Sequence, residues 1–337
     1  MTPSPANDSP RVGRLAPSPT GALHLGNIRT FLYAWLQMRT CGGTLRLRIE
    51  DLDHPKHKPG ADQALIDDLR WLGFDWDAEY VQSERKAIYR SALEFLQAKG
   101  LVYPCVCSRK DVEAAQSAPH AGEQLHYPGT CRNRFATYEE ASAVRPQPCW
   151  RFRVPEGTRV AFDDAFAGHY ESDVSATLGD FPLARDAGGA GYTLAVVVDD
   201  LLMGVTEVVR GDDLLPATPA QLLLAQALAP WLPPSPVPRP SSPVHPAYLH
   251  VPLVVGPDGK RLAKRHGDTR VATYREEGLS PKQVLGFLAA SCGWCAPGES
   301  VSLRDLLPRF TLDTIPHAPF VICYNHRIMQ DKECAGA

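Results

Sequence analysis

The sequence predicts an α/β fold built on a parallel sheet, and three patterns near the N-terminus carry that prediction. Residues 12–15 form a short apolar strand. Residues 44–50 alternate strictly between apolar and polar side chains, as a half-buried strand does. Between them, apolar residues recur with helical spacing over residues 28–36. A strand, a helix and a strand in this order indicate a right-handed crossover unit whose two strands are parallel.

Later elements follow from the same two periodicities. Helices are expected at residues 61–72, 84–99, 218–229 and 280–291, and strands at residues 150–160 and 191–198. The proline-rich residues 230–246 are expected to form an extended surface loop or an interdomain linker. The apolar residues 249–255 that follow favour a return of the chain to the same core.

Composition and charge exclude several classes of protein. The 337 residues are 44% hydrophobic and 22% charged, which is typical of an ordinary globular protein with one large or two modest domains. The net charge of -3 argues against sequence-independent nucleic-acid binding, which needs a broad basic surface. No segment has the length of a membrane span, and the polar N-terminus is not a signal peptide. We therefore expect a cytoplasmic protein without a membrane partner, whose nine cysteines are reduced.

The segment APSPTGALHLGN, residues 16–27, has the composition of a phosphate-binding loop. Gly26 lets the backbone approach a ligand closely, and His24 can donate a hydrogen bond to a phosphate oxygen. Asn27 opens the predicted helix, whose N-terminus offers unpaired N–H groups and the positive end of the helix dipole. A plain turn with a surface histidine is the alternative for any such loop taken alone.

Four sequence blocks resemble those of one known family. Residues 16–27 resemble the first signature of class I aminoacyl-tRNA synthetases, in the form used by the glutamyl branch. RIEDLD at residues 48–53 and the stretch at residues 195–224 resemble the same branch. GKRLAKRHGDT, residues 259–269, resembles the second class signature. The blocks keep the family order and span residues 11–295, so the resemblance implies a Rossmann-like parallel-sheet catalytic core.

The resemblance also implies a plan of domains. It comprises a disordered tail (1–10), the first half of the catalytic domain (11–103), an inserted zinc-containing subdomain of the acceptor-binding type (104–190), the second half with the second signature (191–270) and a short helical C-terminal part (271–337).

The second signature concentrates positive charge in a loop. Closely spaced cations on a mobile loop can neutralise the charge that develops on a departing pyrophosphate. A solvated basic turn is the alternative. The sequence departs from the family pattern at Arg261 and at Ala263, where the family has a hydroxyl residue. Lys264 matches the most characteristic lysine, so we assign it to ATP binding and, with His24, to catalysis.

The charges of free glutamate predict what its pocket should contain. Two carboxylates call for arginines, and the ammonium group calls for one acid. Glu50 lies near the carboxyl end of its strand, where open α/β sheets bind ligands. Taken singly, each candidate is more readily a surface salt-bridge residue. The resemblance carries glutamate contacts onto five positions: Arg14, Ser18, Glu50, Tyr192 and Arg210.

Three cysteines have the spacing of one zinc site with a ligand missing: Cys105, Cys107 and Cys131. Ligand chemistry alone favours His126 or His120 as the fourth ligand, because imidazole binds zinc more readily than phenol does. The family resemblance instead points to Tyr127. Three merely buried thiols are the alternative.

Cys292 and Cys295 have the spacing of a redox dithiol. Such a dithiol belongs at a helix N-terminus, whereas this pair follows the end of a predicted helix. We expect a structural role for both.

Within the glutamyl branch, the chain resembles the glutamyl-Q tRNA(Asp) synthetase family. It ends shortly after the last matched block, so we expect no anticodon-reading helical half, and it has the three-cysteine site. Members of that family activate L-glutamate with ATP and transfer it to the queuosine base in the anticodon of tRNA(Asp). The resemblance implies one structural Zn²⁺, Mg²⁺ with the ATP, and a monomer. Two alternatives are a compact glutamyl-tRNA synthetase charging the tRNA 3′ end and, because of Ala263, a catalytically silent tRNA-binding paralogue.

Overall fold

The strands of the protein confirm the predicted α/β organisation. A computed structural model describes residues 10–19, 22–52, 60–115, 125–185, 189–233, 245–262 and 269–322. The strands, in chain order, are β1 Val12–Leu15, β2 Thr44–Ile49, β3 Ala78–Val81, β4 Val102–Cys105, β5 Cys149–Phe152, β6 Arg159–Asp164, β7 Gly168–Asp173, β8 Pro182–Ala184, β9 Glu207–Gly211, β10 Ala247–Val251, β11 Val254–Val255 and β12 Phe320–Val321.

Helices separate most of these strands. They are α1 Leu25–Thr40, α2 Ala61–Trp71, α3 Lys86–Ala98, α4 Arg109–Ala115, α5 Tyr138–Val144, α6 Val174–Thr177, α7 Tyr192–Leu202, α8 Thr218–Leu228, α9 Val271–Glu276, α10 Pro281–Ala290 and α11 Leu303–Leu306. Among the described residues, none of the helices combines the length and the apolar character that a membrane crossing requires.

Two groups of parallel strands lie side by side, with β1 at the edge of one group next to β9 at the edge of the other. In the first group, β2 pairs with β1 and β3; in the second, β10 pairs with β9 and β6, and β7 adds antiparallel to β6. The amide of Thr206 donates to the carbonyl of Val12 at 2.8 Å, and Arg14 Nη1 donates to the carbonyl of Val209 at 2.9 Å. The chain proceeds outward from β1 on one side and from β9 on the other. The crevice between them is therefore a topological switch point, where ligands bind in such sheets.

Helix α1 packs its predicted apolar face on the sheet. Side chains on α1 and β2 that are fully buried include Leu25, Ile28, Leu32, Leu36, Leu45, Leu47 and Ile49. Each such side chain contributes about 1.5–3 kcal/mol by leaving water. Helix α1 ends at Thr40, and Gly42 takes a left-handed conformation with φ 68° one residue beyond the cap residue Cys41. Residues 281–306 pack on the same core as α1.

A smaller antiparallel sheet of β4, β5 and β8 lies beside this core. Its pairing places Cys105 directly opposite Cys149. The hairpin of β6 and β7 instead extends the sheet of β9 and β10, through the pair Tyr248 and Asp164. The segment 104–190 therefore contributes strands to both sheets.

Two strand predictions need correction. Residues 191–198 form the N-terminal cap and first turns of helix α7 rather than a strand. The valine run is typical of a strand, but α7 packs against α3, α8 and β8, and a helix covered on most sides is apolar at consecutive positions. Residues 150–160 are split between β5 and β6 by a turn at Gly157, which has φ 69°. The predicted return to the same core after residues 230–246 is confirmed, because β10 pairs with β9.

Candidate active site and metal centre

His24 caps the N-terminus of α1, beside the topological switch point. Its backbone amide donates to Asn27 Oδ1 at 3.3 Å, which fixes the first turn. Its Nδ1 is buried and has no hydrogen-bond partner among the described residues. Burial, with a smaller effect from the positive charge of Arg261, lowers the pKa of His24 to about 4. At neutral pH the ring is uncharged and can donate one N–H to a ligand.

Gly26 makes room for this histidine. A Cβ atom added at Gly26 would lie 3.1 Å from His24 Nδ1 and 3.5 Å from Val254 Cβ. Contacts of that length would force the imidazole ring to move by a few tenths of an ångström. Glycine at this position therefore fixes the seat of the imidazole next to the helix N-terminus.

The second signature begins and ends close to the first. Lys264 lies outside the described residues. Before it, Arg261 Nη1 donates to Asp213 Oδ2 at 3.0 Å. After it, the carbonyl of Thr269 accepts from the amide of Leu25 at 3.1 Å. The chain thus returns to the first turn of α1 immediately after the basic cluster.

The residues predicted for glutamate lie around the carboxyl ends of three parallel strands. Arg14 is on β1, Glu50 follows β2, and Arg210 is the penultimate residue of β9. Tyr192 is the first residue of α7 and is 45% exposed, and its phenol lies within the electrostatic influence of Glu50, Arg210 and Arg14. Ser18 is exposed in the loop after β1. The structure brings the first four together.

Two of these arginines are buried without a close carboxylate. Arg14 and Arg210 are 6% and 4% exposed. The nearest carboxylate contact of Arg14 is at 3.8 Å, from its Nε to Asp200. Among the described residues, the hydrogen-bond partners of Arg210 are the neutral groups of His250 and Thr218, at 2.9 and 2.7 Å. Buried charges are costly unless they are paired, so this arrangement favours a bound anion.

Glu50 is positioned by a fully buried arginine that sequence reasoning missed. Arg48 Nη2 and Nε donate to Glu50 Oε1 at 3.0 and 3.3 Å, and Arg48 Nη1 donates to Asp200 at 2.5 Å. The second oxygen of Glu50 has no partner among the described residues. Burial raises the pKa of Glu50, against the lowering effect of Arg48 and Arg14. The carboxylate therefore offers one free acceptor oxygen to a cation.

A second cluster lies at the end of β4. The sulfur atoms of Cys105, Cys107 and Cys131 lie within 4.8 Å of one another. Tyr127 Oη lies 3.3 Å from Cys105 Sγ and 3.9 Å from Cys107 Sγ, and it accepts from the amide of Cys131 at 2.8 Å. In a tetrahedral zinc site, sulfur ligands are about 3.8 Å apart and an oxygen ligand lies about 3.5 Å from each sulfur. These four residues fit a zinc ion.

Of the two alternative histidine ligands, His126 is not part of this cluster. Nε2 of His126 lies 3.3 Å from the carbonyl of Ser175, outside the group of sulfur atoms. His120 lies outside the described residues. Tyr127 is therefore better placed than His126 to be the fourth ligand.

Comparisons with known proteins decide the family. Residues 11–305 match the family model described as tRNA synthetases class I (E and Q), catalytic domain. The Glutamyl-Q tRNA(Asp) synthetase of Symbiobacterium thermophilum is 47% identical, over 91% of this chain and 94% of that protein. The relative of the same name from Rhodopirellula baltica is 45% identical, over 91% of each chain. The chain belongs to the glutamyl-Q tRNA(Asp) synthetase family.

Full-length glutamate ligases are also similar. The Glutamate--tRNA ligase of Aquifex aeolicus is 39% identical over 91% of this chain, which spans 63% of that protein. The crystal structure of a glutamate tRNA ligase from Elizabethkingia meningosepticum, in complex with its amino acid, is 28% identical with a TM-score of 0.73. That similarity covers 93% of this chain and 66% of the ligase, and it confirms the class I catalytic fold.

Two further residues adjoin the cysteine cluster of this family member. Arg151 Nε donates to Cys105 Sγ at 3.2 Å, and its guanidinium lies 3.7 Å from the centroid of the Tyr127 ring. Cys149 sits opposite Cys105, and hydrogen bonds from Cys149, Tyr127 and Arg151 lower the pKa of the Cys105 thiol. Residues 149 and 151 share one face of β5, so only the pairing of β5 with β4 could have revealed them from the sequence.

Cys292 and Cys295, the pair with the spacing of a redox dithiol, make contacts typical of structural residues. Cys292 lies beyond the end of α10 and is fully buried. Its sulfur donates to the carbonyl of Leu288 at 3.3 Å and lies 3.1 Å from Tyr33 Oη. These contacts agree with the role expected from the sequence.

Proposed function

We propose that this protein activates L-glutamate with ATP and transfers the glutamyl group to the queuosine base in the anticodon of tRNA(Asp). The observation that carries the proposal is the pair of buried arginines, Arg14 and Arg210, beside a buried glutamate. Arg14 has its nearest carboxylate at 3.8 Å, and Arg210 bonds only neutral groups among the described residues. This charge pattern complements free glutamate, which has two carboxylates and one ammonium group. The names of relatives matched over nearly their whole length support the tRNA acceptor.

In the glutamate pocket, Arg14 and Arg210 each bind one carboxylate. The free oxygen of Glu50 accepts from the ammonium group, while Arg48 holds the other oxygen. Tyr192 and Ser18 add hydrogen bonds at the mouth of the pocket. Arg48 already donates to Glu50 and Asp200, so its guanidinium is occupied. Arg14 and Arg210 are therefore the arginines that can bind the carboxylates of a ligand.

ATP is bound at the N-terminus of α1, by His24, Gly26, Asn27 and the lysine of the second signature, Lys264. A glutamate carboxylate oxygen attacks the α-phosphorus, forming a P–O bond, and the bond from that phosphorus to the bridging oxygen of pyrophosphate breaks. The neutral His24 ring, the helix N-terminus and Lys264 stabilise the charge on the phosphates. Mg²⁺ bound with the nucleotide would neutralise part of that charge.

In the second step, a hydroxyl of the queuosine ring attacks the acyl carbon of glutamyl adenylate. The new ester bond forms as AMP leaves, and the hydroxyl proton passes to solvent or to the phosphate. The adenylate is already activated, so this step needs no dedicated general base in the chain.

The cysteine cluster is proposed to hold one structural Zn²⁺, through Cys105, Cys107, Tyr127 and Cys131. The domain plan proposed from the sequence places it in the inserted subdomain, residues 104–190, between the catalytic halves 11–103 and 191–270. A monomer is proposed from the family resemblance. A tRNA substrate implies a cytoplasmic location.

The test locates the transferred glutamate on tRNA. Purified protein is incubated with ATP, labelled glutamate and tRNA, and the product is cleaved into anticodon-loop and 3′-terminal fragments. Label in the anticodon-loop fragment supports the proposal. Label on the 3′-terminal adenosine would identify a compact glutamyl-tRNA synthetase, and no label together with no glutamate-dependent pyrophosphate exchange would identify a silent paralogue.

A further inference from the structure

A buried chain of hydrogen-bonded polar groups leads from Arg210 through His250 to Asp164. Asp164 ends β6, His250 is on β10, and Arg210 is on β9, so three neighbouring strands each contribute one residue. Asp164 is 4% exposed, His250 is 1% exposed, and Thr218 beside them is fully buried. The catalytic steps proposed above use neither Asp164 nor His250.

The hydrogen bonds of this chain define the tautomer of His250. Nδ1 of His250 lies 2.6 Å from Asp164 Oδ2, and a carboxylate can only accept, so Nδ1 carries the proton. Nε2 of the same ring lies 2.9 Å from Arg210 Nε, which can only donate. The neutral ring with its proton on Nδ1 therefore satisfies both contacts, and the opposite tautomer satisfies neither.

The electrostatic surroundings keep the ring neutral. Burial is the largest cause that lowers the pKa of His250, and the positive charges of Arg210 and Arg14 act in the same direction. Asp164 opposes them, and the Tyr248 ring is stacked on the imidazole with a centroid separation of 5.7 Å. Asp164, Arg210 and Arg14 come from other strands of the sheet, and Tyr248 is on the same strand as His250.

We propose that Asp164 and His250 are positioning residues for Arg210, and that Asp164 acts by fixing the His250 tautomer that accepts from Arg210 Nε. With Nε held by His250 and Nη2 held by Thr218, the remaining N–H groups of the guanidinium are left for a ligand in the crevice. The proposal rests on the proposed function, in which that ligand is a glutamate carboxylate. A histidine oriented by a carboxylate is a recurring way to fix a tautomer in enzymes.

Asp164→Asn tests the mechanism with little change in shape. Oδ1 of Asp164 accepts from the amides of Phe166 and Ala167 at 2.9 and 2.8 Å, and asparagine keeps that oxygen. Its amide group would instead donate to His250 Nδ1, move the proton to Nε2 and set it against the N–H of Arg210. We expect the KM for glutamate in pyrophosphate exchange to rise at least about tenfold, because a buried charge-assisted hydrogen bond is lost. The KM for ATP should not change.

The effect of Asp164→Asn is then measured again in a protein that already carries His250→Gln. The side-chain oxygen of glutamine can accept from Arg210 Nε and has no tautomer for Asp164 to set. Asp164→Asn should therefore raise the KM for glutamate less than about threefold in the His250→Gln protein. Asp163→Asn is the matched control, since Asp163 is the preceding residue on the same strand and its side chain is 89% exposed. An equal effect of Asp164→Asn in both backgrounds would overturn the proposal.

An NMR measurement tests whether Asp164 fixes the His250 tautomer, and it does not depend on glutamate activation. Imidazole nitrogen shifts in protein labelled with ¹⁵N-histidine should show His250 protonated on Nδ1 in the wild type and on Nε2 in Asp164→Asn. A wild-type ring protonated on Nε2 would overturn the proposal. If the wild-type protein showed no glutamate-dependent pyrophosphate exchange, the proposed function would be refuted. The NMR spectrum would then still test whether Asp164 fixes the His250 tautomer.

Discussion

Replacing Arg210 tests the pocket where its charge is least compensated. Arginine carries five N–H donors, and the described residues use one on Nε and one on Nη2. A glutamate carboxylate can take two of the remaining three in bidentate geometry. At about 1.5–3 kcal/mol for each hydrogen bond to a charged group, the pair contributes about 3–6 kcal/mol.

Arg210→Gln keeps a neutral donor but loses the charge and the bidentate geometry. We expect the KM for glutamate to rise about 100-fold, the lower end of that free-energy range. Arg210→Lys keeps the charge as a single point contact, so we expect a rise of about tenfold. The assay is glutamate-dependent pyrophosphate exchange at saturating ATP. A rise below about fivefold for Arg210→Gln would refute the reasoning.

Two measurements separate lost binding from lost folding in the Arg210 variants. Glutamate at about 100 times its wild-type Kd should stabilise the wild type by about 2.7 kcal/mol against thermal unfolding. In Arg210→Gln, whose Kd for glutamate should be about 100-fold higher, the same concentration should stabilise the protein by only about 0.4 kcal/mol. Arg159→Gln is the matched control, because the Arg159 side chain is 71% exposed on β6. It should keep both the KM for glutamate and the thermal shift.

Four further outcomes are expected. Gly26→Ala should lower the rate of pyrophosphate exchange about tenfold with thermal stability nearly kept, because the new Cβ would displace the His24 ring. The His24 ring should titrate near pH 4 by NMR. Because folding lowers its pKa, its contribution to the free energy of unfolding is fully present above pH 6.5 and is lost as the pH falls from 6.5 to 4. His24→Asn should remove this pH dependence. Cys131→Ser should purify with much less zinc than the wild type by elemental analysis. Arg151→Met should weaken zinc binding at least about tenfold in chelator competition, since Arg151 offsets the negative charge of the thiolates, whereas equal affinity would assign Arg151 to packing alone.

Local patterns predicted the parts of the fold that local chemistry decides. The spacing of apolar residues placed α1, and the alternation after it placed β2, since both depend on which face is buried. The valine run at residues 191–198 misled because its burial comes from α3, α8 and β8, which are distant in sequence. Fully buried helices and strands have the same apolar composition, so propensity alone could not separate them.

Some residues of the candidate sites could likewise be predicted from local sequence, and others could not. Glu50 and Arg210 were predicted because they lie in sequence blocks with a strong resemblance, and Arg14 because it lies two residues before such a block. Arg48 was taken for a polar-face residue of β2, because nothing in an alternating strand shows that both faces are covered. His250 and Asp164 depend on the pairing of β6, β9 and β10, whose partners are up to 86 residues apart. Only the assembled sheet brings such residues together.

The most direct test of the account uses two tRNA pools that differ only in whether they contain queuosine. The protein is given ATP and labelled glutamate with each pool, and the label on tRNA is counted before and after removal of the anticodon loop. Transfer of glutamate to queuosine predicts label on the queuosine-containing pool alone, lost when the anticodon loop is cut away. Equal label on both pools, retained at the 3′ end, would contradict it.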